Sequence, residues 1–225
     1  MLAGLAATAT AAFAATKTWT GGGDGISWND GANWSGGTAP GSGDQVLLEN
    51  SVVGTSYQVD LPSGSTSTQV VRLSIAPTPG RTITVTLPSG NTADPGLRVG
   101  DGLAATDDII LNAGAVLINA SGSATGNGIE TNTTGNGTVR INNGARYVHA
   151  STRSPNGVAP VLSTVAGTEN GEFEYDIPGT GVVNVAASGR TYGNLTLTRS
   201  AGPRPTDRSA PARSRFAACC ASTAA

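Results

Sequence analysis

The chain has 225 residues, of which 12% are charged, 4% are aromatic and 32 are glycine. Its formal net charge of -2, with Lys17 as its single lysine, excludes an electrostatic basis for binding DNA or RNA. The only cysteines, Cys219 and Cys220, lie near the C-terminus, so the body of the chain holds neither a disulfide framework nor a thiolate metal site.

The composition predicts an all-β protein. Between Lys17 and Ser200, glycine, asparagine, threonine and serine interrupt every stretch in which apolar residues recur at helical spacing. β-Branched residues recur in short clusters, and the low charge is not typical of a disordered chain. With so few aromatic residues, the core must consist mainly of valine, isoleucine, leucine and alanine.

Residues 1–15, MLAGLAATATAAFAA, resemble a signal-peptide leader. The segment is too short to span a bilayer, so no membrane-spanning segment is expected in the mature chain. It contains Ala12-Phe13-Ala14, a small-x-small pattern of the kind that signal peptidase cleaves. No Lys or Arg precedes Lys17, and an N-terminal artefact or an ordinary apolar strand remains the alternative. The leader predicts a secreted protein at an extracellular or outer cell-surface location.

Residues 16–50 form a Trp- and Gly-rich segment that contains all three tryptophans, Trp19, Trp28 and Trp34. One interpretation is a carbohydrate-binding platform, because an indole face stacks on a pyranose ring. The other is an N-terminal cap over the open end of a β-stack, where terminal repeats need a distinct structure. The position at one end of the repeats favours the cap.

Residues 51–200 form the β-helix-like repeat body. Turn signals such as Asn143-Gly144 separate short strand candidates. In RTITVTL, alternation predicts that Ile83, Val85 and Leu87 share one face of a strand and Thr82, Thr84 and Thr86 the other. The clearest candidates are 57–61, 70–75, 82–87, 96–99, 108–111, 115–119, 138–142 and 145–150.

A repeated corner favours a solenoid. Asn112-Ala113-Gly114 and Asn142-Asn143-Gly144 each follow one strand candidate and precede another. A solenoid rung needs such a tight corner, and stacked Asn side chains can hydrogen-bond between rungs. The pattern therefore predicts a right-handed parallel β-helix with a Trp-rich N-terminal cap. The alternative is an antiparallel β-sandwich whose hairpins carry Asn-Gly turns.

Two phrases resemble a known group of proteins. TWTGGGDGISWNDGANW, with the following Pro40 and Asp44-Gln45-Val46, resembles the start of large bacterial surface proteins. Some of these are autotransporter-like passengers, and others are repeat proteins secreted by the type IX pathway of Bacteroidetes. TYGNLTLT at 191–198 resembles a phrase common in the second group. The resemblance implies an exported, adhesive or matrix-forming β-helix and carries over no catalytic residue.

The best cluster of acidic residues is Glu172, Glu174 and Asp176 in GEFEYDIPG. On a strand all three would share one face, at separations that suit glycosidase chemistry or Ca²⁺ binding. The favoured interpretation is a solvated strand face without charged partners. Calcium is the only cofactor suggested by the sequence. His149, the only histidine, lies at a strand end. The sequence has no G-x-S-x-G elbow, so His149 is expected to be a surface residue.

Residues 201–225 form an Arg- and Pro-rich tail in which the strand rhythm stops. The tail is either disordered or the product of a shifted reading frame. The sequence thus favours a non-enzymatic secreted or cell-surface structural or adhesion protein, a fragment of a longer chain, with extracellular glycans or matrix components as partners. The alternatives are part of a polysaccharide-degrading β-helix enzyme and a carbohydrate-binding module. The sequence does not fix an oligomeric state.

Overall fold

Almost all regular structure in the chain is β-strand. The computed structural model of the protein describes residues 15–101, 107–122, 125–131, 137–163, 170–179, 185, 191–198 and 214–217, the last range by its backbone alone. Most of the leader and most of the tail therefore lie outside the described residues. No helix in the described part of the chain has the length and apolarity needed to cross a membrane.

Fifteen strands and three short 3₁₀ turns make up this part of the chain. The turns are Gly31–Asn33, Pro155–Gly157 and Ala159–Val161. In chain order the strands are β1 (Thr16–Thr18), β2 (Gln45–Glu49), β3 (Tyr57–Asp60), β4 (Thr68–Val70), β5 (Arg72–Ala76), β6 (Ile83–Leu87), β7 (Leu97–Val99), β8 (Asp107–Leu111), β9 (Ala115–Asn119), β10 (Ile129–Thr131), β11 (Thr138–Ile141), β12 (Arg146–His149), β13 (Glu172–Tyr175), β14 (Asn194–Leu197) and β15 (Ser214–Ala217).

The strands stack into a parallel β-solenoid of about five turns. Sheet 1 has the order β1-β2-β5-β8-β11, sheet 2 the order β3-β6-β9-β12-β13-β14-β15, and sheet 3 the order β4-β7-β10. The chain visits the three sheets in turn, as in β2-β3-β4 and then β5-β6-β7, and each such circuit is one rung. All pairings between these strands are parallel except that of β14 with β15. The predicted parallel solenoid is confirmed, and the antiparallel sandwich is wrong.

The core lies inside the stack, where alternate residues of each strand point inward. The alternation predicted for RTITVTL is confirmed, because Ile83, Val85 and Leu87 are fully buried while Thr84 and Thr86 are only half-buried. The inward residues of β2, β5 and β8 on sheet 1 are likewise aliphatic. They are Val46, Leu48, Leu73, Ile75, Ile109 and Leu111.

The strand predicted at 70–75 is confirmed from Arg72 to Ile75, but Val70 belongs to a separate strand. β4 ends at Val70 in sheet 3 and β5 begins at Arg72 in sheet 1. Val71 forms the corner between them, and its N–H donates to the carbonyl oxygen of Asp44 at 2.8 Å. A corner of one β-branched residue carries none of the Gly, Pro or Asn signals by which a turn is recognised in sequence.

The predicted Asn-x-Gly corners join sheet 1 to sheet 2. Gly114 and Gly144 have φ values of +85° and +81°, a left-handed conformation that glycine adopts without steric cost. Asn142 Nδ2 donates to Asn112 Oδ1 at 2.9 Å, which links the corners of successive rungs. The predicted hydrogen bonding between stacked asparagines is confirmed.

Candidate functional site

The three tryptophans form the N-terminal cap of the solenoid. Trp19, Trp28 and Trp34 are only 1%, 1% and 2% exposed. Trp34 packs edge-on against both others, with ring centroids 4.9 Å from Trp19 and 4.8 Å from Trp28, and Trp19 stacks on Tyr57 at 6.1 Å. The indole Nε1–H of Trp34 donates to the carbonyl oxygen of Trp28 at 2.7 Å. Stacking on a sugar needs an exposed indole face, and this packing offers none, so the geometry supports the cap interpretation.

A hydrogen-bond network centred on Asn33 holds the loop beside the tryptophans. Buried Asn33 accepts the N–H groups of Gly23 and Gly25 at Oδ1, at 2.9 and 3.0 Å, and its Nδ2 donates to Asp24 Oδ1 at 2.7 Å. Asp24 Oδ1 also accepts the backbone N–H of Ser27 at 2.8 Å. Hydrogen bonds from Ser27, then Ile26 and Asn33, hold the pKa of Asp24 well below its usual range. Asn33 lies in the W-x-x-x-x-N-W phrase, but the sequence alone does not indicate that it is the centre of this network.

Two of the three side chains of the acidic cluster, Glu172 and Glu174, bind side chains of the neighbouring rungs. Glu174 is 5% exposed, and its Oε2 pairs with Arg146 Nη1 on the neighbouring strand β12 at 2.8 Å. Glu174 Oε1 accepts the hydroxyl of Thr198, and Glu172 Oε1 that of Thr196, both at 2.5 Å. Asp176 follows the end of β13 and is half-buried.

Parallel stacking explains these partners. β12 and β14 flank β13, so side chains from both neighbouring rungs lie beside its carboxylates. The expectation of a solvated face without charged partners is wrong for Glu174. Within the described residues, no group of three His, Cys, Asp or Glu side chains is placed to hold a metal ion, so the geometry gives the calcium hypothesis no support at Glu172, Glu174 and Asp176.

His149 lies inside the solenoid, so the expectation of a surface histidine is wrong. Its register with Asn119 on β9 and Tyr175 on β13 places it in an inward-facing column, and it is 0% exposed. Its Nε2 lies 2.9 Å from the carbonyl oxygen of Arg153. A carbonyl only accepts, so Nε2 carries the proton of the neutral ring. Burial lowers the pKa of His149.

Arg153, close to His149 in the chain, is also buried. Its Nη1 donates to the carbonyl oxygen of Ala93 at 2.6 Å, and its Nη2 lies 3.1 Å from Asp94 Oδ1. Ser151 Oγ donates to the carbonyl oxygen of Ser121 at 2.5 Å and accepts the N–H of Arg153 at 3.1 Å. Ser151 thus connects successive rungs, whereas the guanidinium of Arg153 reaches Ala93 and Asp94 two rungs away. The sequence pattern shows period-2 alternation but does not show that these polar residues face inward.

A polar groove of about 380 Å³ runs along the corner between sheets 1 and 2. One end is at Thr82, before β6, and the other is at Asn194, the first residue of β14. Asn143 and Asn170 lie exposed between the two ends, next to Arg146 and Glu172. The sequence alone does not reveal this groove, because its residues are far apart in the chain and meet only when the rungs stack.

The fold and these sites define a parallel β-solenoid with an aromatic N-terminal cap and a polar groove along one corner. No protein-family model, no curated protein and no solved structure matches the chain.

Proposed function

We propose that this chain is a non-enzymatic structural or adhesive scaffold, exported and exposed at the cell surface. The observation that carries the proposal is that the fold uses two groups on which acid–base chemistry could depend. Glu174 is paired with Arg146 at 2.8 Å, and His149 is sealed in the core at 0% exposure. A general acid or base must come within hydrogen-bond reach of a substrate, and neither side chain offers that access.

The architecture supports the scaffold role. Each rung contacts chiefly its neighbours, so a stack of rungs gives a long surface whose stability comes from stacking. Such a surface can present corners and loops to extracellular glycans or matrix components, which are the partners of this proposal. The leader-like residues 1–15 and the resemblance of the Trp-rich opening to bacterial surface proteins support export.

A cleavage assay tests the non-enzymatic part of the proposal. The purified chain is incubated with neutral and acidic polysaccharides, and new reducing ends are measured over time. We expect no release above a protein-free blank. Release that disappears in Glu172→Gln/Glu174→Gln/Asp176→Asn, while Arg81→Met retains it, would establish the alternative of a polysaccharide-degrading enzyme.

Export is tested by expressing the chain with its own N-terminus in a bacterial host and sequencing the N-terminus of the product. We expect cleavage after Ala14 and recovery outside the cytoplasm. As a matched control, Ala12→Arg/Ala14→Arg places large charged residues in the small-x-small pattern and should block cleavage. An intact Met1 on cytoplasmic protein would contradict export.

The alternative of a carbohydrate-binding module built on the tryptophans predicts that glycans quench the Trp fluorescence. Because Trp19, Trp28 and Trp34 are buried, we expect a flat fluorescence titration across a glycan panel. A saturable quench would show that the cap opens to ligands.

A further inference from the structure

The polar groove between sheets 1 and 2 is shaped by the repeated corners. Asn112-Ala113-Gly114 and Asn142-Asn143-Gly144 turn the chain in three residues, with both glycines in the left-handed region. A Cβ on Gly114 would lie 2.4 Å from the carbonyl oxygen of Arg81, so the corner backbone packs directly on the preceding rung. The short corners place Gly114, Ala115, Gly144 and Ala145 among the residues that line the groove.

The groove follows the solenoid axis. Its lining residues come from five successive rungs of sheet 2, from Thr82 before β6 to Asn194 on β14. Adjacent strands are about 4.8 Å apart, so the groove is roughly 20 Å long. Its rungs repeat at a spacing comparable with one pyranose unit of an extended glycan, which favours a linear ligand over a compact one.

The groove carries little net charge. Arg146 and Glu172 are the charged side chains among the described lining residues, and Arg146 is already paired with Glu174. Glu172 Oε1 accepts the hydroxyl of Thr196. Together with Glu174, the site has one cation and two carboxylates, all of them engaged, so it does not attract an anionic polymer and its charge suits a neutral ligand.

The exposed polar groups suit hydroxyls. Asn143, Asn170 and Asn194 are exposed and line the groove on three successive rungs. A primary amide offers two donors and one acceptor oxygen, which can hydrogen-bond to neighbouring sugar hydroxyls. The Nδ2 of Asn194 donates to the backbone oxygen of Asn170 at 2.7 Å, which orients that amide along the groove.

The backbone along the floor does not suit a peptide strand. The N–H of Gly114 donates to Gly144 at 2.9 Å, that of Glu172 to Ala145 at 3.0 Å, and that of Asn194 to the carbonyl oxygen of Gly171 at 3.1 Å. Strand addition requires free backbone donors and acceptors, and here the bonds between rungs use them.

From these observations we propose that the groove binds a neutral, linear oligosaccharide lying along the solenoid axis. The proposal rests on the proposed scaffold function and deepens it by naming a ligand class and its site. The side chains that contact the sugar are Asn143, Asn170 and Asn194, with the carboxylate of Glu172 accepting from a hydroxyl.

The test is calorimetric titration of the full chain with cellohexaose, laminarihexaose and mannohexaose, and with hexagalacturonate as a charged comparator. We expect at least one neutral hexasaccharide to bind more tightly than hexagalacturonate. Asn143→Ala/Asn170→Ala should weaken that binding about tenfold, the loss expected from two hydrogen bonds. The matched control Asn29→Ala/Gln69→Ala removes two exposed amides outside the groove and should retain the affinity.

A second variant guards against misfolding of the first. Thr82→Gln extends a longer side chain into the exposed end of the groove, so it should weaken hexasaccharide binding more than trisaccharide binding. Failure of all three neutral hexasaccharides to bind, or equal losses in the groove variant and the control, would overturn the proposal. Binding followed by release of reducing ends would support the groove but overturn the scaffold role, so the two failures are distinguishable.

Discussion

The early and late rungs fill the same interior with different chemistry. On sheet 2, Val85 and Leu117 are followed in register by Tyr147 and Phe173. In the next inward column, Leu87 is followed by Asn119, His149 and Tyr175. In these two columns the early rungs are aliphatic, whereas the late rungs stack aromatic rings, with Tyr147 and Phe173 centroids 4.8 Å apart and His149 and Tyr175 centroids 5.7 Å apart.

The comparison shows that the same parallel ladder accommodates either filling, even where Leu87 lies beside Asn119 in one column. Apolar burial stabilises the early rungs without requiring hydrogen-bond geometry. In these two columns the late rungs add buried polar side chains, such as Asn119 and His149, whose hydrogen bonds require specific partners. The two halves should therefore respond differently to substitution and to pH.

The largest effect is expected from making an early rung resemble a late one. Leu87→Asn places an amide in the aliphatic part of its column, at the position where the next rung has Asn119. It should destabilise the chain by about 3–5 kcal/mol, because apolar contacts are lost and an amide is buried. The measurement is urea unfolding followed by circular dichroism. Leu87→Met is the control and should cost less than about 1.5 kcal/mol. A loss below about 1 kcal/mol for Leu87→Asn would mean that the apolar contacts of Leu87 contribute little to the stability of the early rungs.

The outer face of the late rungs gives the second prediction. Arg146→Met leaves the carboxylate of Glu174, which is 5% exposed, without its ion-pair partner, and should cost about 3 kcal/mol. Glu174→Gln in the same chain should recover part of that loss, since it removes the buried charge. Exposed Arg81→Met is the control and should change the stability by less than about 0.5 kcal/mol. Additive effects of the two substitutions would show that the pair is not coupled.

Sequence patterns were sufficient for the fold but not for the late rungs. RTITVTL and the two Asn-x-Gly corners carry period-2 and turn signals that depend only on local geometry. The inward position of His149 and the pairing of Glu174 depend on which strand stacks on which, and in what register. A single sequence carries little information on that register when the spacing between rungs varies.

The Trp-rich cap was predictable for a similar reason. Three large aromatics at one end of a repeat array indicate a plug, and the structure buries all three. The groove was not predictable, because Thr82, Asn143, Asn170 and Asn194 meet only through stacking. The tail from residue 201 gave no usable strand pattern, and only the backbone of Ser214–Ala217 is described there, antiparallel to β14.

The pH response is the third test of the contrast between the halves. His149 has a lowered pKa in the folded state, so the unfolded chain binds a proton more readily below its ordinary pKa of 6.5. Stability should be fully present above pH 6.5 and should fall with decreasing pH, by at most about 1.4 kcal/mol per pH unit, until the folded-state pKa is reached. Protonation would place a proton on Nδ1, which has no hydrogen-bond partner in the described part of the chain.

His149→Asn isolates this effect, because it installs the residue that occupies the same column on the preceding rung, Asn119. Urea midpoints at pH 5 and pH 7 should differ less for the variant than for the natural chain. Since His149 is the only histidine, no other side chain has an ordinary pKa in that range. Equal pH dependence in both proteins would show that the late core admits the imidazolium ion.

The smallest effect on stability is expected at the two Asn-x-Gly corners. Asn142→Ala removes the bond from Nδ2 to Asn112 Oδ1 and should cost about 1 kcal/mol. The neighbouring Asn143→Ala is a matched control, since that side chain is exposed, and should change the stability by less than about 0.5 kcal/mol. Urea unfolding measures both. If the two variants lose the same stability, the asparagine ladder contributes nothing beyond turn propensity, and the rungs are held together by the strands and the core alone.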